Sequence, residues 1–438
     1  MSLGKSSFWF SLGTLFSRLL GLVREVVLAA VFGASHLLDA FFVAYRLPNM
    51  LRDMAAEGAL GASFTTVFTK TWEKDPKEAK RLLLEALIFF SLVLSIICLL
   101  GVFFAPYLVR VLTLFQNEQR GDIFFAQTVQ LTRLLFPFIL LMSVSAILAG
   151  ALHQKDRFFI SAVSPAMLNI GFIAGALLFA VWFEKYGPPW IEAYFGNKSI
   201  AGLSCGVLLG GLLQTLVLCY SVKKHFFVKD KMWTRISLWH GKIKKILILM
   251  GPMIIASSSG IINVTVNTNF ATSLETGAVS WLNFSFRILQ LPVGLFAVAI
   301  STAILPTLTR SLSRTSLSNH YRSAIDLTLW LLVPCTCFFM FNHYSIIEVL
   351  FHHGKFQASS VAATSQALFF YSFGLLGYGF HKVLTAFYYS LEKTTYAMNV
   401  SLFSIFLNFI INYFLVGVLS HRGLAFTTSI IMTFNAVC

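Results

Sequence analysis

Residues 82–105, LLLEALIFFSLVLSIICLLGVFFA, hold a single charged side chain, Glu85, in 24 consecutive positions. About 20 apolar residues in a helix cross the hydrocarbon core of a bilayer. A helix suits that setting because it satisfies its own backbone hydrogen bonds where water is absent. Comparable stretches recur near 5–32, 37–69, 124–152, 158–183 and 199–222, then near 246–272, 277–309, 323–342, 363–390, 395–418 and 422–438. Ten-residue units of alternating polarity do not appear, which argues against a β-barrel. The fold class read from the sequence is an all-α polytopic membrane protein of about twelve transmembrane helices.

Composition agrees. Of 438 residues, 57% are hydrophobic and 12% charged, and 45 are Phe. A disordered or nucleic-acid-binding chain needs far more charge, and a water-soluble domain cannot bury this much apolar surface. The net charge of +15 therefore points to lipid headgroups and topology rather than to nucleic acid. The six cysteines lie mostly within apolar runs and lack zinc, redox or haem spacing, so no metal or cofactor is implied by them. The N-terminal stretch carries Arg18 and Arg24 and outlasts a signal-peptide core, so it reads as the first span.

The basic residues orient the map. Lys5 and the loops 70–81, 155–157, 223–245, 310–322 and 393 hold 20 Lys/Arg; the opposite loops hold 6. Positive charge is retained on the cytoplasmic side, which puts the N-terminus there. The basic loop 223–245 separates an N-terminal lobe, 1–222, from a C-terminal lobe, 246–438. Weak internal similarity supports two six-helix lobes: Ala44-Tyr45-Arg46-Leu47-Pro48 in one, Arg287-Ile288-Leu289-Gln290-Leu291-Pro292 in the other. Parallel repeats of this kind bound a central cavity.

A charged side chain at bilayer depth costs about 2.5–3.5 kcal/mol on insertion scales, so each asks for a reason. The first two spans carry Arg18, Arg24, Glu25, Asp39, Arg46, Arg52, Asp53 and Glu57. Arg18 and Glu25 share a helix face, as do Asp39 and Arg46, and internal ion pairing is one account of them. Arg24, Arg52 and the solitary Arg287 fit a second account, since the planar guanidinium fork suits phosphate oxygens. Asp39 is expected to hold the arginines and release them as substrate enters. Asn49 and Glu57 are supporting polar groups, and Pro48 and Pro292 are helix kinks beside the arginines. Asn267, Asn408 and Asn412 are weak candidates for a cation site, with interhelical hydrogen bonding the simpler use. The Gly21, Gly33, Gly58, Gly61 series is expected to serve close helix packing. Neither a Walker loop nor H-E-x-x-H nor G-x-S-x-G occurs, so the chain is not read as an enzyme.

The run Thr14-Leu15-Phe16-Ser17-Arg18-Leu19-Leu20-Gly21-Leu22-Val23-Arg24-Glu25 strongly resembles the opening of the MurJ (MviN) family of lipid II flippases. Asp39-Ala40-Phe41-Phe42-Val43-Ala44, Arg46-Leu47-Pro48-Asn49, Arg52 and Ala56-Glu57-Gly58-Ala59 extend the likeness. Gly277-Ala278-Val279-Ser280-Trp281, Arg287, Leu291-Pro292, Ile304-Leu305-Pro306 and Gly354-Lys355-Phe356 continue it through the second half. The resemblance implies the fold of the multidrug/oligosaccharidyl-lipid/polysaccharide exporters, with two six-helix lobes around a central cationic cavity. It implies as substrate the undecaprenyl-pyrophosphate-linked cell-wall precursor lipid II, with Arg18, Arg24, Asp39, Arg52 and Arg287 as the cavity charges. Two further C-terminal helices are usual in the family; this sequence ends at Cys438, within its twelfth span. Some members bind sodium through aspartates, and Asn267, Asn408 and Asn412 stand at the matching places. The bilayer and lipid II are the implied partners, and cell-wall synthesis enzymes a further one. A MATE-like multidrug exporter, or an exporter of another lipid-linked oligosaccharide, is the alternative; an organic-cation exporter calls for an acidic cavity. A scaffold acting through loop 223–245 would not need arginines at bilayer depth, and an intramembrane transferase would want more acid.

Overall fold

The computed structural model describes residues 3–53, 59–117, 121–155, 157–226, 241–301, 314–390 and 394–438, and its regular structure there is entirely helical. Glu57, the Ile304-Leu305-Pro306 run and most of the basic loop 223–245 lie outside the described residues. Seven helical stretches among the described residues are long and apolar enough to cross a membrane: Pro76–Phe103, Gly121–His153, Phe159–Tyr186, Lys198–Phe226, Ala278–Ser301, Ser318–Phe351 and Asn399–Leu419. The described residues of the other expected spans, near 5–32, 37–69, 246–272, 363–390 and 422–438, are helical too apart from short breaks. Large apolar side chains on the long helices point outward, as with Leu99, Trp330, Phe341 and Val418. A helix whose outer face is this apolar is solvated by lipid tails.

The helices are α1 (Leu3–Phe32), α2 (His36–Leu51), α3 (Gly61–Lys74), α4 (Pro76–Phe103), α5 (Ala105–Leu112), α6 (Gly121–Leu135), α7 (Phe138–His153), α8 (Phe158–Val163), α9 (Pro165–Ala174), α10 (Ala180–Tyr186), α11 (Pro189–Phe195) and α12 (Lys198–Phe226). There follow α13 (Gly241–Thr272), α14 (Ala278–Pro292), α15 (Arg314–Phe351), α16 (Ala358–Ser372), α17 (Leu375–Ser390), α18 (Thr394–Leu419) and α19 (His421–Val437). They form two compact units. One comprises Met1–Leu28, Ala40–Val111 and Gly121–Ser258; the other comprises Ala29–Asp39, Leu112–Arg120 and Ser259–Cys438.

In the first unit, α4 starts where its sequence says it should: Asp75 accepts the Lys77 amide at 2.8 Å and Pro76 fills the first turn. The expected span 158–183 is not one straight helix. It breaks at Ser164-Pro165 and widens to a π-type turn at Gly175–Phe179. Its close partner is α12. A Cβ on Gly206 would lie 2.3 Å from the Gly175 Cα, and one on Gly171 would lie 2.3 Å from the Gly210 Cα. Backbone meets backbone along this seam, so Gly171, Gly175, Gly206 and Gly210 serve close helix packing; of the series expected to do so, Gly58 lies outside the described residues. Gly21 has ordinary room, and Gly33 instead sits in a turn. Around α3, α4 and α7 the buried side chains Phe64, Phe68, Leu83, Phe90, Ile147 and Leu148 form one apolar core.

In the second unit, Phe284 of α14 packs against Phe351 and Phe356 with ring centroids 5.1 and 5.7 Å away. Phe356 follows the Gly354-Lys355 turn, whose Lys355 amide donates to the Ala30 carbonyl at 2.8 Å. Gly33 and Gly354 lock that approach, since a Cβ on either would collide with backbone oxygen of the other segment. α17 presses on α19 through Gly374 and Gly377, which meet Ser429 and Thr433.

The glycine seam gives the first prediction. Gly206→Val should cost about 3 kcal/mol or more, because no side-chain rotation relieves a clash with backbone. Gly251→Ala on α13 meets nothing within 4 Å and should melt at or above the parent temperature. Thermal melting of the two detergent-purified variants against the parent measures both.

Candidate functional site

Arg24 in α1 is 8% exposed, yet its guanidinium is held on every side but one. Nη1 donates to Asn169 Oδ1 at 3.1 Å, Nη2 pairs with the Glu25 carboxylate, and the Phe172 ring lies under the guanidinium carbon at 4.6 Å. Asn169 is itself fixed, donating to the Ser17 carbonyl at 3.0 Å. The Arg24 Nε–H is buried with no hydrogen-bond partner. Asn169 and Phe172, three apart on α9, therefore position this arginine, and nothing in the sequence near Arg24 announced them. The Arg18–Glu25 pair expected from spacing gives way to Arg24–Glu25, the charge contact nearest along the chain. Arg18 is half-buried on the same helix.

At the end of α2, Arg52 places Nε and Nη2 on one oxygen of Asp53, at 3.1 and 2.7 Å. Asn49 donates to the other Asp53 oxygen at 3.3 Å. Pro48 lies inside this helix, one turn before Arg52. The Arg52 side chain is 18% exposed and Asp53 is 53% exposed, so this group reaches a polar surface. The first unit thus offers two arginines, each tied to the acid that follows it in sequence.

The second unit carries Arg287 on α14. It is half-buried, and its Nη1 donates to Gln290 Oε1 at 3.3 Å, one turn on. Pro292 ends the regular part of α14, which widens into a π-type turn at Val293–Ala297. That widening is the usual response to a proline that removes a backbone donor.

Asp39 is fully buried and caps a helix. Oδ2 accepts the Gly277 amide at 2.8 Å; Oδ1 accepts the Ser280 amide at 2.9 Å and the Ser280 hydroxyl at 2.7 Å. The first turn of a helix leaves its amides unpaired and carries partial positive charge, which a carboxylate satisfies on both counts. Gly277 adopts φ 97°, a conformation that favours glycine, with the Trp281 indole above it. These backbone amides and the serine hydroxyl tie Asp39 to the start of the helix that carries Arg287.

Asn267, Asn408 and Asn412 do meet, and Asn263 joins them. Asn408 donates to Asn263 at 2.8 Å, and Asn412 donates to Asn267 at 2.8 Å and to Asn408 at 3.0 Å. Asn267 reaches Thr428 at 3.4 Å. A sodium site needs converging oxygens, with carboxylates to offset the charge. Here amide donors meet the oxygens of Asn263, Asn267 and Asn408, while the Asn412 Oδ1 is buried with no hydrogen-bond partner. The i, i+4 spacing of Asn263 and Asn267 opposite that of Asn408 and Asn412 was the legible signal for this ladder. Groups of three or more His, Cys, Asp or Glu able to hold a metal are absent among the described residues.

Residues 28–438 match the family model "Lipid II flippase MurJ". The chain belongs to the MurJ family. The "Probable lipid II flippase MurJ" of Buchnera aphidicola subsp. Acyrthosiphon pisum is 33% identical, with 98% of this chain and 81% of that protein covered. The "Lipid II flippase MurJ" of Burkholderia cenocepacia is 29% identical over 97% of this chain and 80% of its own length. A solved structure, "Lipid II flippase MurJ, inward closed conformation", superposes with a TM-score of 0.79 at 26% identity, covering 98% of this chain and 86% of the other. A MATE family multidrug transporter of the MOP superfamily, in an inward-facing conformation, gives 0.74 at 15% identity, covering 98% and 96%. The likeness to that transporter is one of fold.

The Asp39 cap yields a stability prediction. Asp39→Ala strands two amides and a hydroxyl and should cost about 2–4 kcal/mol. Asp39→Asn keeps an acceptor but loses the charge at the helix terminus, for about 1–2 kcal/mol. Melting temperatures should fall in that order, with Ser280→Ala above both.

Proposed function

We propose that this protein carries lipid II from the inner to the outer leaflet of a bacterial cytoplasmic membrane by alternating access. The observation that carries the reading is the MurJ family match across residues 28–438. It makes the chain a transporter rather than an enzyme, and a lipid flippase rather than a MATE-like drug exporter. The N-terminus is cytoplasmic in this reading, supported by the excess of basic residues in the loops on its side. The halves 1–222 and 246–438 are the moving lobes, joined by the basic loop 223–245. Enzymes that polymerise the cell wall are the proteins that would take up the product at the outer face.

The chemistry asks for cations directed at a diphosphate. Arg24 and Arg52 in one unit, with Arg18 beside them on α1, and Arg287 in the other are the ligands in this reading. The ion pairs Arg24–Glu25 and Arg52–Asp53 then act as holders: each keeps a guanidinium oriented while presenting its remaining N–H groups. Arg287 donates to Gln290, a neutral group one turn on that orients the guanidinium. No cofactor is part of the scheme.

Arg287→Ala should reduce flipping of lipid II in proteoliposomes at least about tenfold while the protein stays inserted and folded, since a bidentate charged contact is lost. Arg287→Lys keeps the charge without the fork and should recover only part. Parent-like flipping by Arg287→Ala would overturn the diphosphate assignment.

A further inference from the structure

Lys382 is a charged residue in α17 that none of the foregoing uses. It lies eight residues before the helix end at Ser390, about 12 Å along the axis at 1.5 Å per residue. A lysine so placed can snorkel to the nearer membrane surface. This one does the reverse. Its Nζ lies 5.8 Å from the centre of the Tyr378 ring, one turn back toward the start of the helix and away from Ser390. Among the described residues no hydrogen bond or ion pair reaches the ammonium, and the side chain is half-buried. An ionised group at this depth, unpaired and turned inward along the helix, is expensive unless an anion visits it.

Its surroundings say which anion. Tyr378 packs toward α14, with its ring 6.4 Å from that of Phe286, and Phe286 also meets Tyr371 at 5.5 Å. Phe286 directly precedes Arg287, so Lys382 stands one turn along from a tyrosine that touches the neighbour of the arginine. Both cations belong to the second unit. Other faces of α17 are spoken for: Gly379 meets Leu332 and Thr328 of α15, and His381 faces the Asn435 carbonyl of α19. Tyr378, one turn from Lys382, meets α14 through Phe286.

We propose that Lys382 is a second phosphate-binding group in this unit, engaging the phosphates of the transported lipid alongside Arg287. The inference rests on the lipid II reading and adds a residue to it. An ammonium is a mobile point charge that follows a phosphate through a range of positions, whereas the guanidinium fork fixes it in one. The aromatic face of Tyr378 holds the ammonium when no anion is there.

The test uses the full-length protein in nanodiscs, with equilibrium binding of undecaprenyl pyrophosphate and, separately, of phosphatidylglycerol. Lys382→Met removes the charge at similar volume and should weaken undecaprenyl pyrophosphate binding about tenfold or more. Lys382→Arg should stay within about threefold of the parent. Melting of Lys382→Met should be unchanged or raised, because an unpaired buried charge contributes no stability. Should that variant fail to fold, Lys382→Gln carries the comparison. Unchanged undecaprenyl pyrophosphate binding by Lys382→Met beside a loss in Arg287→Ala would overturn the role of Lys382 and leave the lipid II reading standing. Unchanged binding in both would overturn both. A loss confined to phosphatidylglycerol would overturn the assignment to the transported lipid and make Lys382 a contact for bilayer lipid.

Discussion

The carboxylate of Asp39 on the first turn of α14 is the interaction on which the second unit turns. Asp39 arrives from the short segment Ala29–Asp39, far from α14 in sequence, and it ends on three donors within four residues. A buried carboxylate is tolerated only where its hydrogen bonds and a positive field are supplied together, and a helix N-terminus supplies both. Fixing that terminus fixes the axis of α14, and the axis places Phe284 in its aromatic cluster and Arg287 two and a half turns on. The Ala30–Lys355 contact and the facing glycines Gly33 and Gly354 secure the same segment from another side. Charge here does positional work that lipid-facing leucines cannot, because apolar surface gains nothing by moving from lipid to protein.

The same principle accounts for the distribution of charge elsewhere. Glu85, the lone charge in the quoted span, is buried but paired with Arg81 one turn earlier at 2.7 Å, near the helix start. Arg24 and Arg52 each have an adjacent acid. Arg287 donates to the neutral Gln290, and Lys382 rests near the Tyr378 ring. Neither of these two contacts supplies a counter-charge. A membrane protein that handles a diphosphate needs groups of this kind, and one that merely spans the bilayer would be destabilised by them.

Much of this was legible in the sequence. Apolar runs of span length fixed the class, since hydropathy along a helix is a local property, and the MurJ likeness rested on motifs contiguous in the chain. Which arginine meets which acid was less accessible. Seven-residue spacing suggested Arg18 with Glu25, but side-chain reach favoured the adjacent Arg24. The contact of Asp39 with the start of α14 was not legible, because its donors include amides, which every residue has and no sequence pattern marks. The glycine seam of α9 and α12 was visible as Gly171, Gly175, Gly206 and Gly210, yet choosing it over Gly21 and Gly33 required knowing which helices touch. Asn267, Asn408 and Asn412 were legible as a group, and Asn263, one turn before Asn267, joins them in an amide ladder.

The central claim is that this protein moves lipid II across the membrane, and leaflet-resolved accessibility of lipid II in cells depleted of it tests that most directly. On this account, depletion leaves lipid II accumulating where an externally added lipid II-cleaving enzyme cannot reach it, and restoring the chain returns it to the outer leaflet. Lipid II that stays equally accessible from outside with and without the chain would contradict the account.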